Sequence, residues 1–241
     1  MTEASTLLLV HGAWSGGWIW EPILDPLRER GVRFEVIEQL PSAGTDAAEL
    51  GDLDADAEHV RARLDDAAGP VVLCGHSYGG MVITEVADHP AISHSIYLAA
   101  FWPPKGQSLL DLFGAETLPE WIVAREDGSL ALVDDTELVR QALFADLDPD
   151  RAAQAHDQLV LQSASSFESK SSAPPRSHPV TYLVCAEDQA VPVPAQEAMA
   201  TAADRALRIQ SAHCPQLSHL DGLADALASV VGGSQAATHA T

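Results

Sequence analysis

Cations are scarce in this chain: thirteen Lys and Arg stand against thirty-five Asp and Glu, a formal net charge of −22. A field of that sign repels nucleic acid and anionic lipid surfaces, so neither is expected as a partner. Cysteine is scarce too. Cys74, Cys185 and Cys214 are odd in number and share no C-x-x-C spacing, which argues against a disulfide frame or a thiolate zinc site. The ten histidines form no H-E-x-x-H or similar pair, so no metal is implied. No apolar run reaches bilayer-crossing length, and the start MTEASTLLLV lacks a basic n-region; a cytoplasmic chain without signal peptide is expected. Aromatic residues are only 5% of the chain, yet three of the five tryptophans crowd into positions 14–20.

What is present is an alternation. Residues 6–10 (TLLLV), 32–37 (VRFEVI), 71–74 (VVLC), 92–99, 181–185 (TYLVC) and 206–210 (ALRIQ) read as strands. Helical patterns lie between them: to about Arg30, with Asp25-Pro26 as an internal restart, then over 46–68, 78–88, 194–203 and 216–231. Strands alternating with helices imply an α/β fold, a mostly parallel sheet with helices on both faces. From 103 to 179 the pattern changes to apolar residues at helical spacing between acidic and Ser-rich loops, with no buried strand run. The expected organisation is a core of 1–102 and 180–233, a helical cap inserted at 103–179 and a disordered tail at 234–241.

The loop GAWSGG after the first strand invites a phosphate-cradle reading, but it lacks the G-x-G-x-x-G spacing. Gly75-His76-Ser77-Tyr78-Gly79 is a G-x-S-x-G between a buried strand and a helix. In that context the serine sits on a sharp turn, and small residues two places either side let strand and helix approach. A serine nucleophile needs a base oriented by an acid. The acid is expected just past TYLVC, where Asp188 in D-x-x-V-P is the candidate and Glu187 the alternative. The base is expected after the last strand, where His213 precedes His219, a helix-face residue. Two backbone N–H donors must meet the developing oxyanion; Tyr78, next to the nucleophile, and Ala13, in HGAW, can supply them.

On HGAWSGGWIW, GHSYGGMVI, LAAFWP, D-Q-A-V-P and HCPQLS, taken in order, the chain resembles the α/β-hydrolases of the branch holding plant methyl esterases, hydroxynitrile lyases and bacterial esterases. The resemblance covers nearly the whole chain, the cap loosely. It implies an α/β-hydrolase fold with the triad Ser77, Asp188 and His213, and Ala13 and Tyr78 as the oxyanion hole, without a cofactor. The lyases of that branch carry Thr where Gly12 stands and Lys where Cys214 stands, so both lyase groups are missing. The plant esterases usually carry an acidic residue where Ala212 stands.

Gly12, Trp14, Trp102, Trp121 and Phe144 are candidate substrate-binding residues, as is Phe167, though cap packing explains the aromatics equally well. The resulting expectation is a hydrolase of small apolar or aromatic carboxylic esters acting through an acyl-enzyme, with a homodimer left open. The alternatives are a non-hydrolytic enzyme on this fold, lyase-like or a cofactor-free oxygenase, and a small-molecule receptor.

Overall fold

The computed structural model describes residues 4–113 and 118–238. Its strands are, in chain order, β1 (Thr6–Val10), β2 (Arg33–Val36), β3 (Ala43–Gly44), β4 (Val71–His76), β5 (Ile92–Leu98), β6 (Ile122–Ala124), β7 (Ser129–Leu132), β8 (Leu161–Ser163), β9 (Val180–Cys185) and β10 (Arg205–Ile209). Six of them form one sheet in the order β10-β9-β5-β4-β1-β2, and every pairing in it is parallel. A parallel strand covered by helices on both faces needs a continuous apolar run. β4 and β9 are accordingly buried at every position. β2 and β10 lie at the edges and alternate or open to solvent, which is why RFEV and RALRI carry charges.

The chain runs from β1 outward to β2, then returns to the other side of β1 for β4, β5, β9 and β10. The crevice at the carboxyl ends of β1 and β4 is therefore the topological switch point, the usual place for a ligand in an open α/β sheet. Helices flank the sheet, Glu21–Glu29 packing on Leu220–Thr238 and Leu53–Asp65 on Gly79–Glu85. Part of the acidic excess serves helix starts: Asp46, Asp52, Asp135 and Asp148 each accept a hydrogen bond from a first-turn N–H. Pro26 lies inside a continuous helix, so the expected restart at Asp25-Pro26 does not occur. A proline costs an interior helix one backbone bond, and this short helix absorbs the loss.

The segment 103–179 is not wholly helical. Besides the helices Leu109–Phe113, Thr136–Leu143, Pro149–His156 and Ala164–Glu168 it holds β6, β7 and β8. These join β3 from the core segment in a second, antiparallel sheet of order β3-β8-β7-β6. The strands escape a reading based on apolar runs because each has only three or four residues and none is buried throughout. At the other end, the last helix continues to Thr238. It enters the stretch expected to be a disordered tail, whose Gln and Ala residues tolerate helix well; residues 239–241 lie outside the described residues.

Candidate active site

Ser77 follows β4 directly and has φ 54°, the left-handed region that costs a residue with a side chain. The turn is held by the Ser77 N–H on the Leu98 carbonyl (3.1 Å) and by the Ser77 carbonyl accepting from Gly80 (3.0 Å) and Phe101 (3.1 Å). The flanking glycines are required by close approach. A Cβ on Gly75 would stand 2.5 Å from the Gly79 carbonyl oxygen, and one on Gly79 would stand 2.7 Å from that of His11. The G-x-S-x-G spacing is thus a packing condition for presenting one serine side chain above the sheet.

His213 lies past the end of β10, in the loop before the short helix Pro215–Ser218. Asp188 lies past the end of β9. Both are buried, and the His213 Nδ1 is 2.8 Å from Asp188 Oδ2. A carboxylate only accepts, so Nδ1 carries a proton, and in the neutral ring Nε2 keeps its lone pair. The remaining lone pairs of Asp188 are occupied: Oδ1 accepts from Ala190 N–H (2.8 Å) and Val191 N–H (3.0 Å), and Oδ2 also accepts from Gln196 Nε2 (2.8 Å). Gln196 is itself fully buried and locked, its Nε2 also on the Val191 carbonyl and its Oε1 accepting from Cys185 N–H. Sequence reasoning missed this residue. Glu187 points to solvent. His219 sits between two helices, partly exposed, with Nδ1 3.3 Å from Asp146 Oδ2. The same Asp146 oxygen accepts from Ala212 N–H at 2.9 Å, so the acidic support for the His213 loop comes from the cap instead of from position 212.

Two other histidines lie close by. His76 Nε2 donates to the His213 carbonyl at 2.9 Å, and burial together with the neighbouring His213 holds its pKa well below the usual value. His11 accepts from Leu40 N–H at Nε2 (3.0 Å), so its Nδ1 donates to the Gly12 carbonyl (2.8 Å). Burial pulls its pKa down to about 4. Both rings are neutral scaffolding near pH 7.

Gly12 faces the serine. A Cβ there would stand 2.9 Å from Ser77 Cβ and 3.2 Å from His76 Nδ1, so no side chain fits without displacement. Among the described residues, no acceptor takes the N–H of Ala13 or of Tyr78, which leaves both available to a ligand. The next residue, Trp14, is at φ 57° and is gripped by the cap: its N–H by Gln162 Oε1 (3.3 Å), its carbonyl by Val160 N–H (2.9 Å) and its Nε1–H by the Leu130 carbonyl (3.0 Å).

One cavity brings Gly12, Ala13, Ser77, Tyr78 and His213 together, with Trp14, Trp121, Phe144 and Phe167 in its wall. Phe101 and Phe113 complete an apolar surface in which four of the five phenylalanines of the chain take part. Cys214 also borders it, its thiol pushed well up by burial and therefore neutral. Trp102 is not in this wall. Neighbouring side chains in an extended segment point to opposite sides; Phe101 enters the cavity, whereas Trp102 stacks on Tyr97 (ring centroids 4.5 Å apart) under the Arg176 guanidinium. Of the other two tryptophans, Trp20 is fully buried against His76 and Trp18 is half-buried.

A sequence model of the alpha/beta hydrolase family matches residues 7–226. A carbendazim hydrolyzing esterase of Nocardioides sp. (strain SG-4G) is 36% identical over 126 residues, 48% of this chain and 50% of that protein, so the likeness spans half of the relative's length. The alpha/beta hydrolase nvfD of Aspergillus novofumigatus is 33% identical over 178 residues, 66% of this chain and 69% of that one. Among solved structures, a pyrethroid hydrolase from Sphingobium faniae JZ-2 superposes with a TM-score of 0.83 at 22% identity, over 95% of this chain and 98% of the other.

Proposed function

Because this chain belongs to the alpha/beta hydrolase family, we propose that its cavity is the active site of a serine hydrolase cleaving carboxylic esters. The observation that carries the reading is the buried 2.8 Å pair of His213 Nδ1 and Asp188 Oδ2 in a site whose cavity also holds Ser77 on a left-handed turn. His213 Nε2 takes the proton of Ser77 as its oxygen attacks the ester carbonyl, and returns it to the departing alkoxide. The free N–H groups of Ala13 and Tyr78 receive the oxyanion. Water then attacks the acyl-enzyme with His213 again as base, and Asp188 stabilises the imidazolium formed in each half. No cofactor enters these steps.

The apolar wall of Trp14, Trp121, Phe101, Phe113, Phe144 and Phe167 suits a neutral, flat or aromatic acyl or alcohol group, since among the described residues no Asp, Glu, Lys or Arg lines it to pair with an ionised substrate. The relative named as a carbendazim hydrolyzing esterase is consistent with ester cleavage in this cavity. A lyase-type reaction lacks support. Gly12 supplies no hydroxyl, and the neutral Cys214 offers no cation to a leaving anion.

A panel of p-nitrophenyl and methyl esters tests the reading, read together with mass labelling by an organophosphonate. Wild-type protein is expected to gain one phosphonyl adduct at Ser77 and to hydrolyse aromatic esters; Ser77→Ala is expected to lose both while keeping its melting temperature. Full turnover by Ser77→Ala overturns it.

A further inference from the structure

One buried network beneath the cavity takes no part in the triad. Asp56, in the first turns of the helix Leu53–Asp65, is fully buried. Its Oδ1 accepts from Ser42 N–H (2.8 Å), and its Oδ2 accepts from the Ser42 hydroxyl and from the Tyr78 phenol (2.6 Å). Ser42 Oγ accepts in turn from Gln162 Nε2 at 2.8 Å. Gln162, on β8, gives its second N–H to Ser166 Oγ (2.7 Å) and takes the Trp14 N–H at Oε1. The network therefore ends at one side on Trp14, next to Ala13, and at the other on Tyr78.

The carboxylate has no cationic partner among the described residues; hydroxyl and amide dipoles face it, and the nearby Asp52 charge opposes its ionisation. Burying a carboxylate so is costly, and an apolar residue at the same place would often stabilise the fold as well or better. Burial raises the Asp56 pKa to about 6, and burial with the Asp56 charge keeps the Tyr78 phenol protonated as a donor. A merely structural position gives no reason for such a group under this particular side chain.

We propose that Asp56 is a positioning residue for the oxyanion hole: it fixes Tyr78 through its phenol, and through Ser42 and Gln162 it fixes the loop of Ala13 and Trp14, so that two N–H donors on separate elements meet one oxygen. The inference rests on the reading of Ser77 as nucleophile and of these two amides as its oxyanion donors. It differs from a packing role in what it alters. A loosened fold lowers the fraction of active molecules, whereas misaimed donors lower the rate of each active molecule.

The test is kcat per phosphonate-titratable serine, with KM, for Tyr78→Phe, Asp56→Asn, Asp56→Ala and the double variant Tyr78→Phe/Asp56→Ala. Tyr78→Phe removes one oxygen and keeps the ring on Phe167, so it remains informative if Asp56→Ala does not fold. The expected result for Tyr78→Phe is a fall of roughly ten- to hundredfold in kcat per site, less than outright removal of a donor, with KM nearly unchanged. Asp56→Asn, which keeps hydrogen-bonding groups at the same place, is expected to retain more activity than Asp56→Ala, and the double variant to be no worse than its poorer single. Wild-type kcat per titrated serine in Tyr78→Phe, or a loss confined to KM or to the number of titratable sites, overturns the proposal. If wild-type protein takes no phosphonate and Ser77→Ala keeps its turnover, the nucleophile reading itself has failed, which is a separate result.

Discussion

Asp188→Asn is the perturbation whose outcome the geometry constrains most tightly. The new amide must choose an orientation. Oδ1 of Asp188 accepts from two backbone N–H groups, at 2.8 and 3.0 Å, so the amide oxygen takes that place. The NH2 group then falls where Oδ2 was, against Gln196 Nε2 and His213 Nδ1, each 2.8 Å away. Gln196 cannot turn over to accept, because its Nε2 is held by the Val191 carbonyl and its Oε1 by Cys185 N–H. His213 Nδ1 must therefore become the acceptor and the ring proton moves to Nε2, facing the serine. In that tautomer the imidazole cannot take the Ser77 proton. The expected loss is about three to four orders of magnitude in kcat, with KM little changed. The opposed Gln196 and Asn donors add a stability cost of about 1–3 kcal/mol. Steady-state hydrolysis of a p-nitrophenyl ester measures the first and urea unfolding the second, with Glu187→Gln as a control that should leave both near wild type. An Asp188→Asn enzyme within tenfold of wild-type kcat refutes the argument, because the tautomer would then not be set by this carboxylate.

Gly12→Thr places a Cβ against Ser77 Cβ and His76, so kcat on esters should fall at least about a hundredfold without gain of cyanide release from mandelonitrile; near-normal ester turnover would show that the loop yields. Acid should destabilise the protein. His11 and His178 are both pulled down to about 4 by burial and His76 is lowered as well, so the unfolded chain binds protons near pH 6.5 that the native fold refuses. Their contribution is whole above that pH and is lost as pH falls toward 4, about 3 kcal/mol for His11 alone. Asp56, raised to about 6, works in the opposite sense over the same window and offsets about one histidine. Unfolding free energies at pH 7 and 4.5 check the sign, and equal or greater stability at pH 4.5 contradicts it.

How much of this was legible in the sequence depended on where each signal lay along the chain. VVLC and TYLVC declare interior parallel strands because burial on both faces forces unbroken apolar runs. The strained Ser77 turn is legible because its conditions lie within five residues, and the Asp188–His213 pair because each residue follows the end of a strand. The cap sheet was hidden, since its strands are shorter than any periodicity can resolve and one partner, β3, lies in another part of the chain. Trp102 falls outside the cavity by a parity that composition does not reveal: one residue along an extended segment exchanges cavity for the opposite side.

The missed polar residues were recoverable in part, and the reason bears on function. In the helix Leu53–Asp65 the buried positions are Leu53, Asp56, Val60 and Leu64, a three-and-four spacing that puts Asp56 on the apolar stripe. In the helix Val193–Ala200, Gln196 and Ala200 share the buried face in the same way. A carboxylate or amide at a position where periodicity demands an apolar side chain must find partners inside the protein, or the helix would not seat there. The partners cannot be read from the sequence, because Asp56 meets Tyr78 twenty-two residues away and Gln162 meets Ser42 across one hundred and twenty. The need for partners can be read. Both such residues end against the proposed machinery, Gln196 on the triad acid and Asp56 on the side chain of an oxyanion residue. The cap enters the same network through Gln162 and grips Trp14 by three hydrogen bonds. It is therefore part of the frame that aims the Ala13 N–H, and a change of cap sequence that altered β8 would alter turnover as well as substrate choice.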